Sequence, residues 1–142
     1  MNDFVMIAMS GGVDSAVAAH LIKKNAAKAA GVTMRHFAHC GEQDITDAAA
    51  LCRQLSLPHF VADLQQVFER EVILPFIAEY EAGNTPNPCV LCNKKIKFGA
   101  LLDFAVEQGY SHIATGHYAR IEKSPAGRML VRRAADASKD QT

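Results

Sequence analysis

Short apolar runs alternate along the chain with segments whose apolar residues recur every three or four positions. The run from residue 4 to residue 9 is largely apolar and ends at a turn signal, which is typical of a strand buried on both faces. From Ser15 onward the pattern changes, because Val17 and Leu21 lie four residues apart. This change of period predicts a strand followed by a helix.

The same reasoning predicts three further strands and three further helices. The strands are expected at 29–35, 59–63 and 111–117, and the helices at about 45–55, at about 64–82 with a kink near Pro75, and after an N-cap at Asn93. The segment 128–134 is expected to form an edge strand or one arm of a hairpin. Strands that alternate with helices predict an α/β fold, a parallel sheet with helices on both faces.

The turn between the first strand and the first helix contains Ser10, Gly11, Gly12, Val13 and Asp14. Its glycines allow positive φ angles and a close approach of another group to the backbone. Backbone N–H groups and the positive end of the helix dipole then converge on one point, which favours an anion such as a phosphate. The turn lacks the lysine of a Walker A loop and the third glycine of a dinucleotide fingerprint. The alternative is a plain tight turn in which Ser10 or Asp14 caps the helix.

Ligands of parallel sheets bind beyond the carboxyl ends of the strands. We therefore expect the loops that follow Met9, Met34 and Thr115 to meet around one pocket. Gly116 lets a nucleotide base or sugar approach the backbone, and His117 is a hydrogen-bond partner for a phosphate. A histidine with a purely structural hydrogen bond is the alternative interpretation of His117.

Composition narrows the class of protein without adding chemistry of its own. The 142 residues suffice for one domain with a core, and 15 basic residues balance 15 acidic ones. A net charge of zero creates no overall field that attracts nucleic acid or an anionic membrane, so such contacts need a local patch. No run resembles a membrane span or a signal peptide, which predicts a cytoplasmic protein without membrane contact. In that compartment the four cysteines indicate metal, redox or core positions rather than disulfides.

Two of the cysteines lie in the stretch PNPCVLCNKKIKF. Prolines and a glycine predict that residues 83–92 form a loop, which places Cys89 and Cys92 just before a helix. The helix dipole and three nearby lysines favour thiolate over thiol, and Cys92 is the better nucleophile because it lies nearer the helix. Three interpretations remain open: an activated thiol pair, which we favour, iron–sulfur or metal ligands, and two inert structural cysteines.

The other cysteines and the basic residues carry weaker signals. Cys52 lies among apolar residues of a helical pattern and is expected in the core. Cys40 lies near His36 and His39, which suggests a metal cluster, although a solvated loop is the simpler interpretation. Seven basic residues are candidates for a basic surface: Lys94, Lys95, Lys97, Arg120, Arg132, Arg133 and Lys139. The alternative is an ordinary solvated face.

Four motifs together resemble one enzyme family. SGGVDS after the first strand, TPNPCVLCNKKIKF, ATGHYAR and the terminal KDQ occur in the order found in the tRNA-specific 2-thiouridylases, over nearly the whole chain. SGGVDS alone is shared by the broader PP-loop ATP pyrophosphatases, which include NAD and GMP synthetases, and the cysteine block narrows the choice. The resemblance implies a Rossmann-like PP-loop fold of the adenine nucleotide alpha hydrolase type, with residues 1–142 forming an N-terminal catalytic domain.

The resemblance also implies a reaction and its cofactors. ATP adenylates the C2 oxygen of the wobble uridine 34 of a tRNA and releases pyrophosphate, and sulfur from a persulfide then replaces that oxygen, giving 2-thiouridine and AMP. Mg²⁺ is expected on the phosphates, and a 4Fe-4S cluster bound by the CxxC pair is a second cofactor that the motif allows. The implied sulfur donor is a sulfur-carrier protein or a cysteine desulfurase.

Each implied role maps onto numbered residues. ATP is expected to lie against Ala8, Met9, Ser10, Gly11, Gly12, Val13, Asp14, Ser15, Met34, Gly116 and His117. The implied contacts with the target base are Asn87, Pro88 and Cys89, and those with the rest of the tRNA are Lys139, Asp140 and Gln141. Cys92 is the implied nucleophile, Cys89 takes part in catalysis, and both are the implied ligands of any iron–sulfur cluster.

Two departures from the family pattern change what this chain is expected to do. Some relatives carry an acid/base aspartate where this chain has Cys89. The family continues past residue 142, so the distal cysteine that carries the persulfide and the later tRNA-binding domains have no counterpart here. We therefore expect an N-terminal fragment that binds ATP but transfers sulfur poorly or not at all. The alternatives are a PP-loop ligase acting on a small molecule and a nucleotide-binding redox or iron–sulfur module.

Overall fold

The computed structural model describes residues 3–37 and 41–141. Within them one sheet has the strand order β3-β2-β1-β4 and consists of β1 (Phe4–Ala8), β2 (Lys28–Arg35), β3 (His59–Asp63) and β4 (His112–Ala114). All neighbouring strands are parallel, and in the register Val5 of β1 pairs with Ala29 of β2 and His112 of β4. The parallel sheet predicted from the alternating pattern is therefore confirmed.

Helices cover both faces of this sheet. One face packs against α1 (Val13–Asn25) and α2 (Glu42–Gln54), where Ile7 of β1 is buried with Ala19 and Cys52. The other face buries Met6 of β1. Successive residues of a strand point to opposite faces, so the wholly apolar β1 supplies both cores. Cys52 is 0% exposed, which confirms its predicted place in the core.

The second face is covered by the helical segments that follow β3 and precede β4. They are α3 (Gln65–Phe68), a π-helical turn (Glu69–Ile73), α4 (Leu74–Glu81), α5 (Pro88–Leu91), a π-helical segment (Cys92–Ala100) and α6 (Leu101–Glu107). Val72, Ile96 and Leu101 are the buried side chains that these segments place against the sheet. A π-helical turn ends just before the helix that contains Pro75, and the expected kink at this proline stays a prediction. Within the described ranges no helix is long and apolar enough to cross a membrane.

The first helix begins two residues earlier than its apolar period predicts. Gly12, with extended backbone angles of φ −87° and ψ 166°, occupies the N-cap position, and Val13 is the first helical residue. No side chain caps this helix, so capping by Ser10 or Asp14 is not found. The amide groups of the first turn are thus left without a side-chain acceptor, as an anion-binding turn requires.

The prediction of a loop over residues 83–92 is wrong for the second half of this segment. A helix begins at Pro88, and Asn87 caps it by accepting a hydrogen bond from the Cys89 amide to Oδ1 at 3.1 Å. Proline suits the first helical position because its φ angle is already helical and its missing N–H has no partner there. Asn93 lies inside the π-helical segment and is not the N-cap. Cys89 and Cys92 are therefore residues of the first two helical turns.

A hairpin follows the parallel sheet. β5 (Ala119–Lys123) pairs antiparallel with β6 (Met129–Arg133), which confirms one arm predicted at 128–134, whereas the other arm was not predicted. β4 is also shorter than the predicted strand 111–117. Ile121 of β5 is 61% exposed, so this strand has little of the buried apolar pattern that marks the central strands.

Candidate active site

A cavity of about 240 Å³ opens at the carboxyl ends of the parallel strands. Its walls come from the turn after β1, from Met34 near the end of β2 and from the loop after β4. The segments that follow Met9 and Thr115 therefore meet around one pocket as expected, whereas the described part of the loop after Met34 does not line it and only Met34 itself does. The lining residues are Ala8, Met9, Ser10, Asp14, Ser15, Met34, Lys97, Thr115, Gly116, His117 and Gln141. Most residues predicted to bind ATP are thereby brought together.

The strand-to-helix turn is closed by its own polar groups. The Ser10 amide donates to Ser15 Oγ at 3.3 Å, and the Ser15 hydroxyl donates to the Gly12 carbonyl at 2.9 Å. Gly11 adopts a φ of +75°, a conformation that side chains rarely take. The buried Ser15 therefore acts as an internal brace of the turn, and Gly11 allows the chain to reverse before the helix.

Gly116 is needed for a different reason from the expected one. A Cβ atom at this position would lie 2.8 Å from the carbonyl carbon and oxygen of Asp14 and 2.9 Å from the Ser15 nitrogen. The group that approaches the Gly116 backbone is thus the first turn of α1. A glycine here lets the loop after β4 pack directly on the strand-to-helix turn, which shapes the cavity whether or not a nucleotide also approaches.

Tyr118 ties three segments of the site together, and sequence reasoning missed it. Its hydroxyl donates to Asp14 Oδ1 at 3.0 Å, and its amide donates to Gln141 Oε1 at 2.9 Å. The Gln141 amide donates in turn to the Tyr118 carbonyl at 3.1 Å. The motif ATGHYAR contains this tyrosine, but no local pattern signals that its partners lie near both ends of the chain.

The two thiols of the CxxC motif differ in exposure. Cys89 is exposed, whereas Cys92 is half-buried. Burial raises the pKa of the Cys92 thiol, the positive charge of Lys97 lowers it, and the neighbouring Cys89 raises it. The net direction is upward, so the expected preference of Cys92 for the thiolate is not found. Burial has the larger effect on this pKa because removing a thiolate from water is more unfavourable than the attraction of one partly screened cation is favourable.

The described residues do not by themselves fit a complete iron–sulfur cluster. In the ranges 3–37 and 41–141 no group of three or more His, Cys, Asp or Glu residues is placed to hold a metal ion. Cys52 belongs to the core on the α1 and α2 face. Cys40 and His39, which suggested a metal cluster with His36, lie outside the described residues. The pair Cys89 and Cys92 thus offers two thiol ligands, short of the four that such clusters use.

A family model described as "tRNA methyl transferase HUP domain" matches residues 3–142. The chain belongs to this family. Similar curated proteins include the "tRNA-specific 2-thiouridylase MnmA" of Acidithiobacillus ferrooxidans (strain ATCC 53993 / BNL-5-31), 47% identical over 96% of this chain and 40% of the relative. The protein of the same name from Treponema denticola is 46% identical over 97% of this chain and 40% of its own length. The chain spans about 40% of the length of the curated relatives it matches.

Solved structures share the fold of this HUP domain. An NMN synthetase from Francisella tularensis superposes with a TM-score of 0.51 at 24% identity, covering 79% of this chain and 44% of the synthetase. A glutamine-dependent NAD+ synthetase from Acinetobacter baumannii gives a TM-score of 0.53 at 19% identity, covering 78% of this chain and 21% of that one. These likenesses show that the two synthetases share the fold of this domain, a parallel sheet with helices on both faces.

Most members of the expected basic surface of the HUP domain have partners of their own. Lys95 lies 3.5 Å from a Glu71 carboxylate oxygen, and Arg132 lies 3.2 Å from one of Glu122. Arg133 lies 3.8 Å from Asp140, whose other oxygen accepts a hydrogen bond from the Ala134 amide. Lys139 lies over the Tyr118 ring, 5.1 Å from its centroid. The contacts of Asp140 attach it to the end of the hairpin, and Lys139 packs on Tyr118 just before the hairpin. The predicted tRNA contacts of Lys139, Asp140 and Gln141 stay predictions.

The HUP domain is expected to lose stability between pH 7 and pH 5. Burial lowers the pKa of His36, His59 and His117 below the ordinary 6.5. The unfolded chain therefore binds more protons than the folded one once the pH falls below 6.5, and this lowers the free energy of unfolding. Urea unfolding at pH 7 and pH 5 measures the change.

A matched variant identifies the source of that pH dependence. His59 shares a 2.9 Å hydrogen bond between its Nε2 and the buried Thr33 hydroxyl. In His59→Gln, which does not titrate in this range, the difference between the two pH values is expected to shrink. The lowered pKa values of Asp63 and Glu71 act only at more acidic pH and leave this window unaffected. Equal urea midpoints at pH 7 and pH 5 in the unmodified chain would contradict the prediction.

Proposed function

We propose that this chain is the ATP-binding catalytic domain of a tRNA 2-thiouridylase. The observation that carries the proposal is the single cavity in which the SGGVDS turn meets Met34, Gly116 and His117. Lys97 also lines this cavity and belongs to the helical segment that carries Cys92. A nucleotide bound there lies beside the helix with the thiol pair, as activation of a substrate followed by sulfur transfer requires.

The cavity suits a nucleoside triphosphate. The amides at the start of α1, which no side chain caps, and the dipole of this 13-residue helix attract the phosphates. Met34 and Gly116 are proposed to flank the adenosine, and His117 to hydrogen-bond a phosphate. Burial lowers the pKa of His117, and its Nδ1 shares a 2.8 Å hydrogen bond with the Thr115 hydroxyl, so it acts as a neutral partner near pH 7.

The proposed reaction proceeds in two steps. The C2 oxygen of the wobble uridine attacks the α-phosphorus of ATP, and the bond to the β-phosphate breaks to release pyrophosphate. Cys92 then attacks the inner sulfur of a persulfide and forms a disulfide with it, while the freed terminal sulfur bonds to C2 and AMP leaves. A sulfur-carrier protein or a cysteine desulfurase supplies the persulfide sulfur.

The target base is proposed to lie at the start of α5, the short helix that carries Cys89 and leads into the segment with Cys92. Asn87 and Cys89 are exposed there, with Pro88 between them. Because Asn87 Oδ1 already accepts the Cys89 amide, its Nδ2 group is the part left to donate to a base. A wobble base flipped out of the anticodon stack would bring its C2 oxygen within reach of both the nucleotide and the thiols.

The names of the relatives agree with this reaction. The two curated relatives carry the name tRNA-specific 2-thiouridylase, whereas the description of the family model refers to methyl transfer. A nucleotide cavity beside a thiol pair fits sulfur transfer driven by ATP. Incubating the full-length protein with ATP, a sulfur donor and a tRNA transcript should give 2-thiouridine and AMP only when residue 34 is uridine. AMP formation that does not need tRNA would favour a small-molecule ligase instead.

Asp14→Ala is expected to weaken binding of ATP in the presence of Mg²⁺ about tenfold. Asp14 lines the cavity, and Mg²⁺ is commonly held by one or two carboxylates together with the phosphates of the substrate. Isothermal titration of this chain with ATP and Mg²⁺, with GTP as the specificity control, measures the affinity.

The same titration in EDTA separates a magnesium-binding role from a structural one. Without the metal, Asp14 repels the phosphates, so Asp14→Ala should then bind ATP as well as the unmodified chain or better. Tyr118→Phe is the matched control, since it removes the 3.0 Å hydrogen bond to Asp14 and leaves the carboxylate in place. Equal weakening by Asp14→Ala with and without Mg²⁺ would contradict the assignment of Asp14 to the metal.

A further inference from the structure

The side chains that line the cavity offer little positive charge to a triphosphate. Asp14 brings a negative charge, and His117, with a lowered pKa, is neutral near pH 7. Among the described lining residues Lys97 alone carries a positive side chain. A nucleotide brings several negative charges into this space, so the side chain of Lys97 is the main source of neutralising charge that the protein offers there.

Lys97 has no carboxylate partner within residues 3–37 and 41–141. Its neighbour Lys95, by contrast, pairs with Glu71 at 3.5 Å. Lys97 is half-buried and lines the cavity, so an anion bound there would supply the counter-charge that the described carboxylates do not.

The charge of Lys97 also acts on groups from three parts of the site. It lowers the pKa of His36 after β2, of His117 after β4, and of Cys92 on its own helical segment. These effects agree with the geometry, because Lys97 lines the cavity and belongs to the same helical segment as Cys92.

We propose that Lys97 binds the phosphates of the nucleotide in this cavity. It supplies, from the helical segment that carries Cys92, the cation that the SGGVDS turn lacks. This inference rests on the proposed function. A Walker A lysine follows its glycine turn directly in the sequence, whereas here the lysine comes from a distant segment on the other face of the sheet. As a flexible point charge, lysine can follow phosphates whose position changes as pyrophosphate leaves.

The test compares binding of ATP and of adenosine by calorimetry in the unmodified chain, Lys97→Gln and Lys94→Gln. Lys97→Gln is expected to weaken ATP about 10- to 100-fold and to leave adenosine unchanged, because only the phosphates lose a partner. Lys94 is an exposed lysine of the same helical segment, so Lys94→Gln should bind ATP normally. Lys97→Arg keeps the charge and should recover most of the ATP affinity.

A chemical measurement on the unmodified chain covers the case in which Lys97→Gln does not fold. Acylation of Lys97 by an amine-reactive reagent, followed by peptide mass spectrometry, should slow in the presence of ATP or pyrophosphate but not of adenosine. Lys94 should react at the same rate in all three conditions. Protection of Lys97 by adenosine as well would point to a general conformational effect and overturn the phosphate assignment.

The outcomes separate this inference from the proposed function. If the unmodified chain binds ATP and a folded Lys97→Gln binds it equally well, the role of Lys97 is overturned while the ATP site stands. If the folded unmodified chain does not bind ATP, the proposed nucleotide site fails and the inference fails with it. Equal losses for ATP and adenosine in Lys97→Gln would assign the lysine a structural role instead.

Discussion

Cys92→Ser is expected to lower 2-thiouridine formation by the full-length protein by at least about a thousandfold, because a hydroxyl cannot replace the thiol that we propose attacks the persulfide. Cys92 is half-buried on the helical segment that also carries Lys97. Burial raises its pKa, so the thiolate must be favoured by Lys97 or formed as the substrate binds. Nucleoside analysis by mass spectrometry, on a tRNA transcript with a wobble uridine, measures the loss.

Two controls make this result specific. Binding of ATP to Cys92→Ser should match that of the unmodified protein, since the nucleotide cavity is not lined by Cys92. Cys89→Asp introduces the acid/base residue that some 2-thiouridylases carry and should keep measurable thiolation. If Cys89→Asp also abolished thiolation while ATP still bound, both thiols would be required, as expected of cluster ligands. Thiolation that persists in Cys92→Ser would remove this residue from the mechanism.

Gly116→Ala is expected to destabilise the chain by about 1–3 kcal/mol, the usual cost of forcing an extra methyl group into a well-packed place. The added Cβ would lie 2.8 Å from the Asp14 carbonyl, which is backbone and cannot rotate away. ATP affinity should fall as well, because the displaced loop and the start of α1 both line the cavity. Urea unfolding gives the first quantity and calorimetry the second.

Gly12→Ala is the matched control, taken from the SGGVDS turn itself. A Cβ there would have the Ser10 hydroxyl at 3.5 Å as its nearest neighbour, which is an ordinary contact. Gly12 also has a negative φ that alanine can adopt, so the loss of stability should be smaller. If Gly12→Ala were the more destabilising of the two, tight packing at Gly116 would not be what holds the turn and the loop together.

The helical start at Pro88 shows how a composition rule misleads. Two prolines, a glycine and asparagines within a few residues predict irregular structure, and residues 83–87 do lie outside the regular elements. The same residues also form a helix start, because Asn87 caps and Pro88 opens the first turn. Cys89 and Cys92 therefore lie within helical turns, and Cys92 packs against the core beneath the sheet rather than lying in a loop.

The first strand and helix show where local patterns suffice. The apolar run of β1 predicts burial on both faces, and the structure buries Met6 on one face and Ile7 on the other. The four-residue period after Ser15 predicts α1, although the helix begins at Val13. Residues before the first apolar repeat carry no periodic signal, so the exact start of a helix depends on its cap.

The sequence by itself determined the alternation of strands and helices, the carboxyl edge at which the site forms, and the motifs that mark the family. Periodicity and turn residues depend on a few neighbouring positions, so these signals can be identified in a single sequence. Only the tertiary structure decided that Lys97 enters the cavity, that Tyr118 holds Asp14, and that Gly116 packs on α1. These contacts join residues far apart in the chain, and their geometry depends on how whole elements pack across the sheet.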